Sequence, residues 1–229
     1  MISSQHSVYK SSISNSNHGI AEWSFSANEN CITKVVPDGC CDIIVVEESV
    51  SKPSRWFISE LSSSVYDVHS NAGERMRGVR LKPGTQIDKL ALNQWVESHH
   101  IDELFADDQL GEFCQLPVSI SEALLCLADK ETISVDAGAR MLGVSVRTLQ
   151  RVIKSGTLQT PYFWHSLARM RRAAKSLLKF NNLADVAIAC HFSDQAHMTR
   201  DLNLWLGLPP GKIKSDSELM SLLNEPGYA

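Results

Sequence analysis

Between Ala21 and Leu81 the apolar residues come in short bursts that alternate with polar ones: AEWSFS, CITKVV, CDIIVV, WFISEL, SVYDVHS and RMRGVRL. A period of two puts successive side chains on opposite faces, so each burst predicts a half-buried strand. Pro37-Asp38-Gly39, Asn71-Ala72-Gly73 and Lys82-Pro83-Gly84 punctuate the bursts. Each suits a tight turn, because Pro presets φ and Gly tolerates positive φ. Several short strands at this spacing predict a small β-barrel or sandwich-like domain. Residues 1–19 are polar and show no such alternation, which predicts a flexible N-terminus.

After Gly84 the period lengthens. IDKLALNQWVESHH and IDELFADDQLGEF predict short helices that end near Leu116-Pro117, a helical appendix to the β-rich part. ISEALLCLADK spaces Ile120, Leu124 and Leu127 for one helix face, a connecting helix that would pack on its own domain or on a second copy of the chain. In TPYFWHSLARMRRAAKSLLKF, residues 160–180, Phe163, Leu167, Met170, Ala174 and Leu177 form one apolar stripe. Thr160 can cap that helix, Pro161 suits its first position, and Asn181-Asn182 suits its end. The fold class expected is α+β: residues 1–19 a flexible terminus, 20–117 a β-rich domain, 118–130 a linker helix, 131–215 an all-α domain and 216–229 an acidic tail.

Two stretches of the all-α part echo each other. Ala139-x-x-x-Gly143-Val144-Ser145 followed by Leu149-x-Arg151 returns as Ala187-x-x-x-His191-Phe192-Ser193 followed by Met198-x-Arg200, one residue longer through the turn. A small residue, a turn residue with positive φ and an apolar anchor are what a helix-turn-helix unit requires. The outward positions then carry Arg147, Gln150 and Arg151 in the first copy, and Gln195, His197 and Arg200 in the second. Arginine matches the O6/N7 edge of guanine and glutamine the N6/N7 edge of adenine. A helix from Pro161 to Phe180 would measure about 30 Å. Successive major-groove faces of B-DNA recur about every 34 Å, so one chain could address two grooves. Arg169, Arg171, Arg172, Lys175 and Lys179 on that helix would either attract phosphate or form a solvated face.

Charge sharpens this picture only when divided. The 229-residue chain has a formal net charge of −4, yet residues 131–215 carry 12 Lys and Arg against 5 Asp and Glu. Residues 1–130 carry 10 against 18. The asymmetry marks one basic domain in an otherwise acidic chain.

The stretches ISVDAGARMLGVSVRTLQRVIK, TPYFWHSLARMRRAAKSLLK and LADVAIACHFSDQAHMTRDLNLWLGLPPGKIK together resemble the DNA-binding domain of the AraC/XylS family of transcription regulators. The likeness covers nearly all of residues 131–215. It implies two helix-turn-helix subdomains joined by a long helix, with base-contacting roles for Arg147, Gln150 and Arg151 and for Gln195, His197 and Arg200. It also implies double-stranded DNA, RNA polymerase, a small-molecule or protein effector and a second copy of the chain as partners, and activation among the outcomes. VPDGCCDIIVV at 36–46 and GVRLKPG at 78–84 are similar to a sensor domain that accompanies some of these regulators. Three positions depart from the family pattern: His191 stands at a turn usually held by Gly, Leu202 replaces Phe, and Gly156 falls two residues before the expected glycine.

Other chemistry finds little support. Metal-dependent catalysis in a small barrel would need a His-x-His pair with a later Glu, whereas the β-rich part offers His69 and the adjacent His99-His100. The expectation is therefore no catalytic residue, no metal and no cofactor. Cys31, Cys40, Cys41, Cys114, Cys126 and Cys190 show no CxxC spacing, which points to reduced, buried thiols, with one of Cys40 and Cys41 open to reaction if they lie on a strand. No run approaches about 18 apolar residues and no leader is seen, so a cytoplasmic, non-membrane protein is expected. Trp23, Phe25, Trp56 and Tyr66 could line a ligand pocket or simply fill the core. The alternative reading is a ligand-, thiol- or metal-binding sensor that acts mainly through protein partners.

Overall fold

A computed structural model describes residues 2–3, 7–13, 18–47, 54–105 and 109–229. The chain divides into two compact units, the second of which takes in residues 34–39 and 61–67 together with 118–229.

The first unit is built on strands β1 (Ile2–Ser3), β2 (Ser7–Ile13), β3 (Gly19–Ala27), β4 (Cys31–Val35), β5 (Asp42–Glu47), β6 (Arg55–Ile58), β7 (Tyr66–Ser70) and β8 (Arg75–Leu81). Six of them form one antiparallel sheet in the order β1-β2-β3-β8-β5-β6, and β4 pairs with β7 in a separate ribbon. Three turn glycines, Gly39, Gly73 and Gly84, adopt positive φ, as their turn contexts predict. β5 reads DIIVVE and is buried on both faces, which suits β-branched side chains on a central strand. Ile43 and Val45 of β5 and Val79 and Leu81 of β8 face Leu92, Ile101, Leu104, Leu110 and Phe113. Those partners come from α1 (Lys89–Val96), a 3₁₀ turn (Ile101–Phe105) and α2 (Leu110–Phe113). A second ribbon joins β9 (Gln86–Ile87) to β10 (Cys114–Gln115). The fold is α+β, with the helical appendix packed on the sheet.

The outer aromatics divide between roles. A Cβ on Gly78 would stand 2.7 Å from the Trp23 ring, so the indole needs glycine beneath it. Trp23 Nε1 donates to Asp42 Oδ2 at 3.2 Å, and Arg80 Nε donates to Oδ1 at 3.2 Å, so the buried carboxylate is paired. Phe25 is buried, Trp56 packs on the unit's core, and Tyr66 stays exposed.

Within the terminus expected to be frayed, residues 7–13 depart from that expectation. β2 pairs with β3 over seven residues, from Ser7 opposite Ala27 to Ile13 opposite Ala21. Its serines hide the alternation, because backbone pairing rather than apolar burial holds this strand.

The second unit contains α3 (Val118–Ala128), α4 (Val135–Met141), α5 (Val146–Thr157), α6 (Pro161–Ser176), α7 (Leu183–Ala189), α8 (Gln195–Leu206), α9 (Pro210–Ser215) and α10 (Ser217–Asn224). α3 packs into the core of this unit through Ile120, Leu124 and Leu127. Thr160 caps α6 by accepting from the Phe163 N–H, with Pro161 at its start. The helix ends at Ser176, four residues before the expected Phe180, so its length is about 24 Å rather than 30 Å. The supposed acidic tail is a packed element: Leu219, Met220 and Leu223 of α10 are buried, as is Tyr228. Burying each such side chain is worth about 1.5–3 kcal/mol, which outweighs the three acidic residues that made this segment look solvated.

α6 is buried along most of its length, with Trp164, Leu167, Met170, Ala173 and Ala174 fully enclosed. Its arginines are turned inward as well. Arg171, 0% exposed, donates to the carbonyls of Pro37 at 3.2 Å, Leu223 at 3.1 Å and Glu225 at 3.3 Å. Arg172 donates to the Ala128 carbonyl at 2.7 Å, and Lys175 to that of Ala229 at 3.1 Å. Pro37 lies in the 34–39 segment, whose Asp38 carbonyl accepts from Tyr228 N–H at 2.7 Å. Tyr228 in turn donates its hydroxyl to the Leu124 carbonyl at 2.8 Å. These cations satisfy main-chain oxygens at helix ends and in turns, which the helices themselves leave without donors.

Two outcomes follow. Arg171→Met, similar in volume but without donors, strands three buried carbonyls and should lower unfolding stability by about 3 kcal/mol or more, read by denaturant titration. His165 is buried with Nε2 2.9 Å from the Thr132 carbonyl, and desolvation lowers its pKa against the opposing pull of that bond. The unfolded chain takes up a proton near the ordinary histidine value of about 6.5 while the folded one resists it. Stability should therefore be full above that value and fall as pH drops below it, and His165→Gln should flatten the decline.

Candidate nucleic-acid interface

The first helix-turn-helix is α4, a turn at Gly143, and α5. Ser134 caps α4 by accepting from the Ala137 N–H, and Ser145 caps α5 by accepting from the Thr148 N–H. Ala139 is buried where the helices meet, and Gly143 has φ +67° with nothing within 4 Å of where a Cβ would stand. Backbone conformation, not space, is what asks for glycine there. Leu149 and Ile153 bury one side of α5. Arg147, Gln150, Arg151 and Lys154, at helical spacing of three and four, are exposed on the other.

The second unit repeats the plan with α7 and α8. The Val144 N–H donates to the Ala139 carbonyl at 3.0 Å, and its counterpart Phe192 N–H donates to Ala187 at 2.9 Å. His191 occupies the turn at φ +58°, as its place in the echo predicts, and its Nε2 lies 3.0 Å from the Lys130 carbonyl. Asp194, rather than Ser193, caps α8 by accepting from the His197 N–H, and that bond holds its carboxyl below the usual range. The extra turn residue is thus absorbed before the cap. Met198, Leu202 and Trp205 are buried, so leucine fills the place usual for phenylalanine. Gln195 and Arg200 are exposed.

His197 departs from its companions. Its Nδ1 lies 3.0 Å from Ser193 Oγ, its Nε2 lies 3.5 Å from Arg169 Nη2 and 3.8 Å from Asp201 Oδ2, and its ring meets Phe192 edge-on. Five of the six expected base-reading residues are exposed, whereas His197 is half-buried in a network behind α8. Arg169 anchors that network from α6: Nη2 donates to Asp201 Oδ2 at 2.9 Å, and the guanidinium lies 4.3 Å from the Phe192 ring centroid. With side chains only 10% and 17% exposed, Arg169 and Asp201 form a shielded pair. Neither Arg169, Arg171 nor Arg172 is the solvated or phosphate-seeking cation expected of it. Asp201 carried no warning in the sequence, because its partner lies 32 residues away.

The charge excess of 131–215 accordingly resolves into two sets. Arg169 and Arg171 are buried and Arg172 and Lys175 half-buried, whereas Arg140, Arg147, Arg151, Lys154, Lys179, Arg200, Lys212 and Lys214 remain exposed. All six cysteines are free thiols, Cys40, Cys114 and Cys190 buried and the others half-buried. Burial raises the pKa of Cys114 to about 11. Among the described residues no group of three or more His, Cys, Asp and Glu side chains could hold a metal, and no helix is long and apolar enough to cross a membrane.

Residues 139–216 match a family model described as a helix-turn-helix domain. No curated protein matches the chain. Among solved structures, the chain is similar to a transcriptional regulator with an AraC-type DNA-binding domain from Chromobacterium violaceum, at 23% identity over 47% of this chain and 94% of that one, TM-score 0.38. It is similar also to the C-terminal domain of AraT, a response regulator from Geobacillus stearothermophilus, at 19% identity over 44% and 87%, TM-score 0.39. ToxT from Vibrio cholerae O395 aligns over 95% of this chain and 99% of its own at 8% identity, TM-score 0.43.

The two helix-turn-helix units need four left-handed positions, and each supplies one glycine. Gly143 and Gly207 take two of them, while Leu158 (φ +59°) ends α5 and His191 takes the second turn. Leu158 stands where glycine was expected in place of Gly156, and it is 85% exposed, so its side chain gains little there. Leu158→Gly should raise stability by about 1 kcal/mol. His191→Gly should gain less, about 0.5 kcal/mol, because it gives up the bond to Lys130. Thermal melts of both variants check the order, and a loss in Leu158→Gly would contradict the turn geometry.

Proposed function

We propose that this chain, whose residues 139–216 match a helix-turn-helix domain family, is a sequence-specific DNA-binding transcription regulator of the AraC type whose α5 and α8 enter adjacent major grooves. The observation that carries this reading is the division of each second helix. Leu149 and Ile153 of α5 and Met198 and Leu202 of α8 are buried, and the opposite faces present Arg147, Gln150, Arg151, Gln195 and Arg200 to solvent. In this reading Arg147, Gln150 and Arg151 read bases from α5, and Gln195 and Arg200 read them from α8. His197 positions α8 through Asp201 and Arg169, and its exposed edge faces the same groove. Lys154 and Lys212 add phosphate attraction. The first unit receives the controlling signal, from a small molecule or a protein, and RNA polymerase and a second copy of the chain are the remaining partners. Such a protein works in the cytoplasm, beside the chromosome.

Selection of bound sequences from random duplex DNA by the full-length chain tests the reading, and enrichment of no sequence would overturn it. On the selected site, Arg147→Ala and Arg200→Ala should each cost about 1–3 kcal/mol and relax base preference at one position. Equal weakening on every sequence would instead assign that arginine to phosphate. Affinity should fall steeply with salt, because neutralised phosphates release counterions.

A further inference from the structure

Two short segments from the N-terminal half of the chain, residues 34–39 and 61–67, belong to the second unit. Both are seated in its core. Val36 is 7% exposed and joins the apolar cluster of the helices, and Leu61 and Val65 pack on the same cluster. Gly39 takes φ +75°, and a Cβ there would stand 2.8 Å from the Tyr228 Cβ and 3.0 Å from the side chains of Leu167 and Trp164. Neither the backbone conformation nor the space at this turn admits a side chain. Polar bonds tie the same turn, since the Pro37 carbonyl accepts from Arg171 and the Asp38 carbonyl from the Tyr228 N–H.

The 61–67 segment reaches α8. Its Val65 N–H donates to the Trp205 carbonyl at 3.1 Å. Trp205 lies in the last turn of α8, where carbonyls have no donor within the helix. The residue four positions on is Pro209, which has no N–H to offer. Val65 therefore caps α8 from the other half of the chain.

We propose that residues 34–39 and 61–67 form a latch that governs DNA reading by α8. Seated, they close the core against α6 and cap α8. Withdrawn, they uncover Trp164 and strip Arg171 and the Trp205 carbonyl of a bond each, so α8 opens from its C-terminal end. The 34–39 segment runs out of β4 toward β5, and the 61–67 segment leads from β6 into β7. A change of state in those strands can therefore pull on both segments. This regulation rests on the roles proposed above for α8 and for the first unit. The coupling is reciprocal: DNA that requires the seated latch must also hold it seated.

Amide hydrogen exchange in the full-length chain provides the test, read by NMR with and without a selected duplex whose binding is followed in the same samples. The Val65 amide should exchange on the order of tenfold more slowly with DNA, while amides of the central strand β5 change by less than about twofold. Gly39→Ala unseats the turn. Gly73→Ala is its control, because Gly73 has φ +83° with nothing within 4 Å of where a Cβ would stand. The two substitutions carry the same backbone cost, and only the first collides with the helices. Without DNA, the Met198 and Leu202 amides of α8 should exchange on the order of tenfold faster in Gly39→Ala than in Gly73→Ala. Gly39→Ala alone should weaken DNA binding, on the order of tenfold. Unchanged Val65 exchange on bound DNA, equal slowing throughout the chain, or the same α8 exchange and DNA affinity in both variants would overturn the latch. Should Gly39→Ala fail to fold, the Val65 measurement on the unsubstituted chain decides. Absence of any sequence-selective binding would overturn the DNA-reading proposal and the latch's effect on DNA with it, and the DNA-free comparison then decides whether the segments hold α8.

Discussion

A helix enclosed along most of its length cannot leave its charges undirected, and α6 shows how this chain meets that constraint. Arg169 is tied to Asp201 of α8, Arg171 to the carbonyls of Pro37, Leu223 and Glu225, and Arg172 to that of Ala128. One helix thereby fixes α8, the C-terminal helix, the end of α3 and the 34–39 segment. Removing any of these cations would leave buried acceptors unpaired, which costs more than the original bonds contributed. The second helix-turn-helix is held to this strut by a charge-assisted bond as well as by packing, and the first by packing.

This arrangement changes what the basic charge of residues 131–215 means. Arginines on α6 that would look like phosphate contacts serve the interior, and the exposed cations are Lys179 and those on α4, α5, α8 and the short α9. Electrostatic attraction is thus concentrated where base edges would be read, a distribution that supports specificity more than uniform affinity. Asp201 stands at the junction of strut and α8.

Much of this was legible in the residues. The echo between Ala139–Arg151 and Ala187–Arg200 gave both helix-turn-helix units because small residue, turn and anchor are each local requirements. Thr160 caps the helix that its position suggested. The turn at His191 was foreseeable from its place in that echo. Other features depend on distant partners. Arg171 and Pro37 are 134 residues apart, so no window along the chain could show that a positive helix face was closed by main-chain oxygens. α10 was masked by acidic neighbours although Leu219 and Leu223 are spaced for one face, and β2 was masked by serines that need no apolar partner to join a ladder. His197 looked like Gln195 and Arg200 in the sequence, and only the reach of Arg169 across the unit draws it away from them.

The claim on which the account turns is that one chain presents α5 and α8 to consecutive major grooves. Hydroxyl-radical footprinting on a selected site, at a measured stoichiometry of one chain per duplex, tests it most directly. The account predicts protection tracking two major grooves about 10 base pairs apart on one side of the DNA. Protection of a single groove, or of a second groove only when a second chain binds, would contradict it.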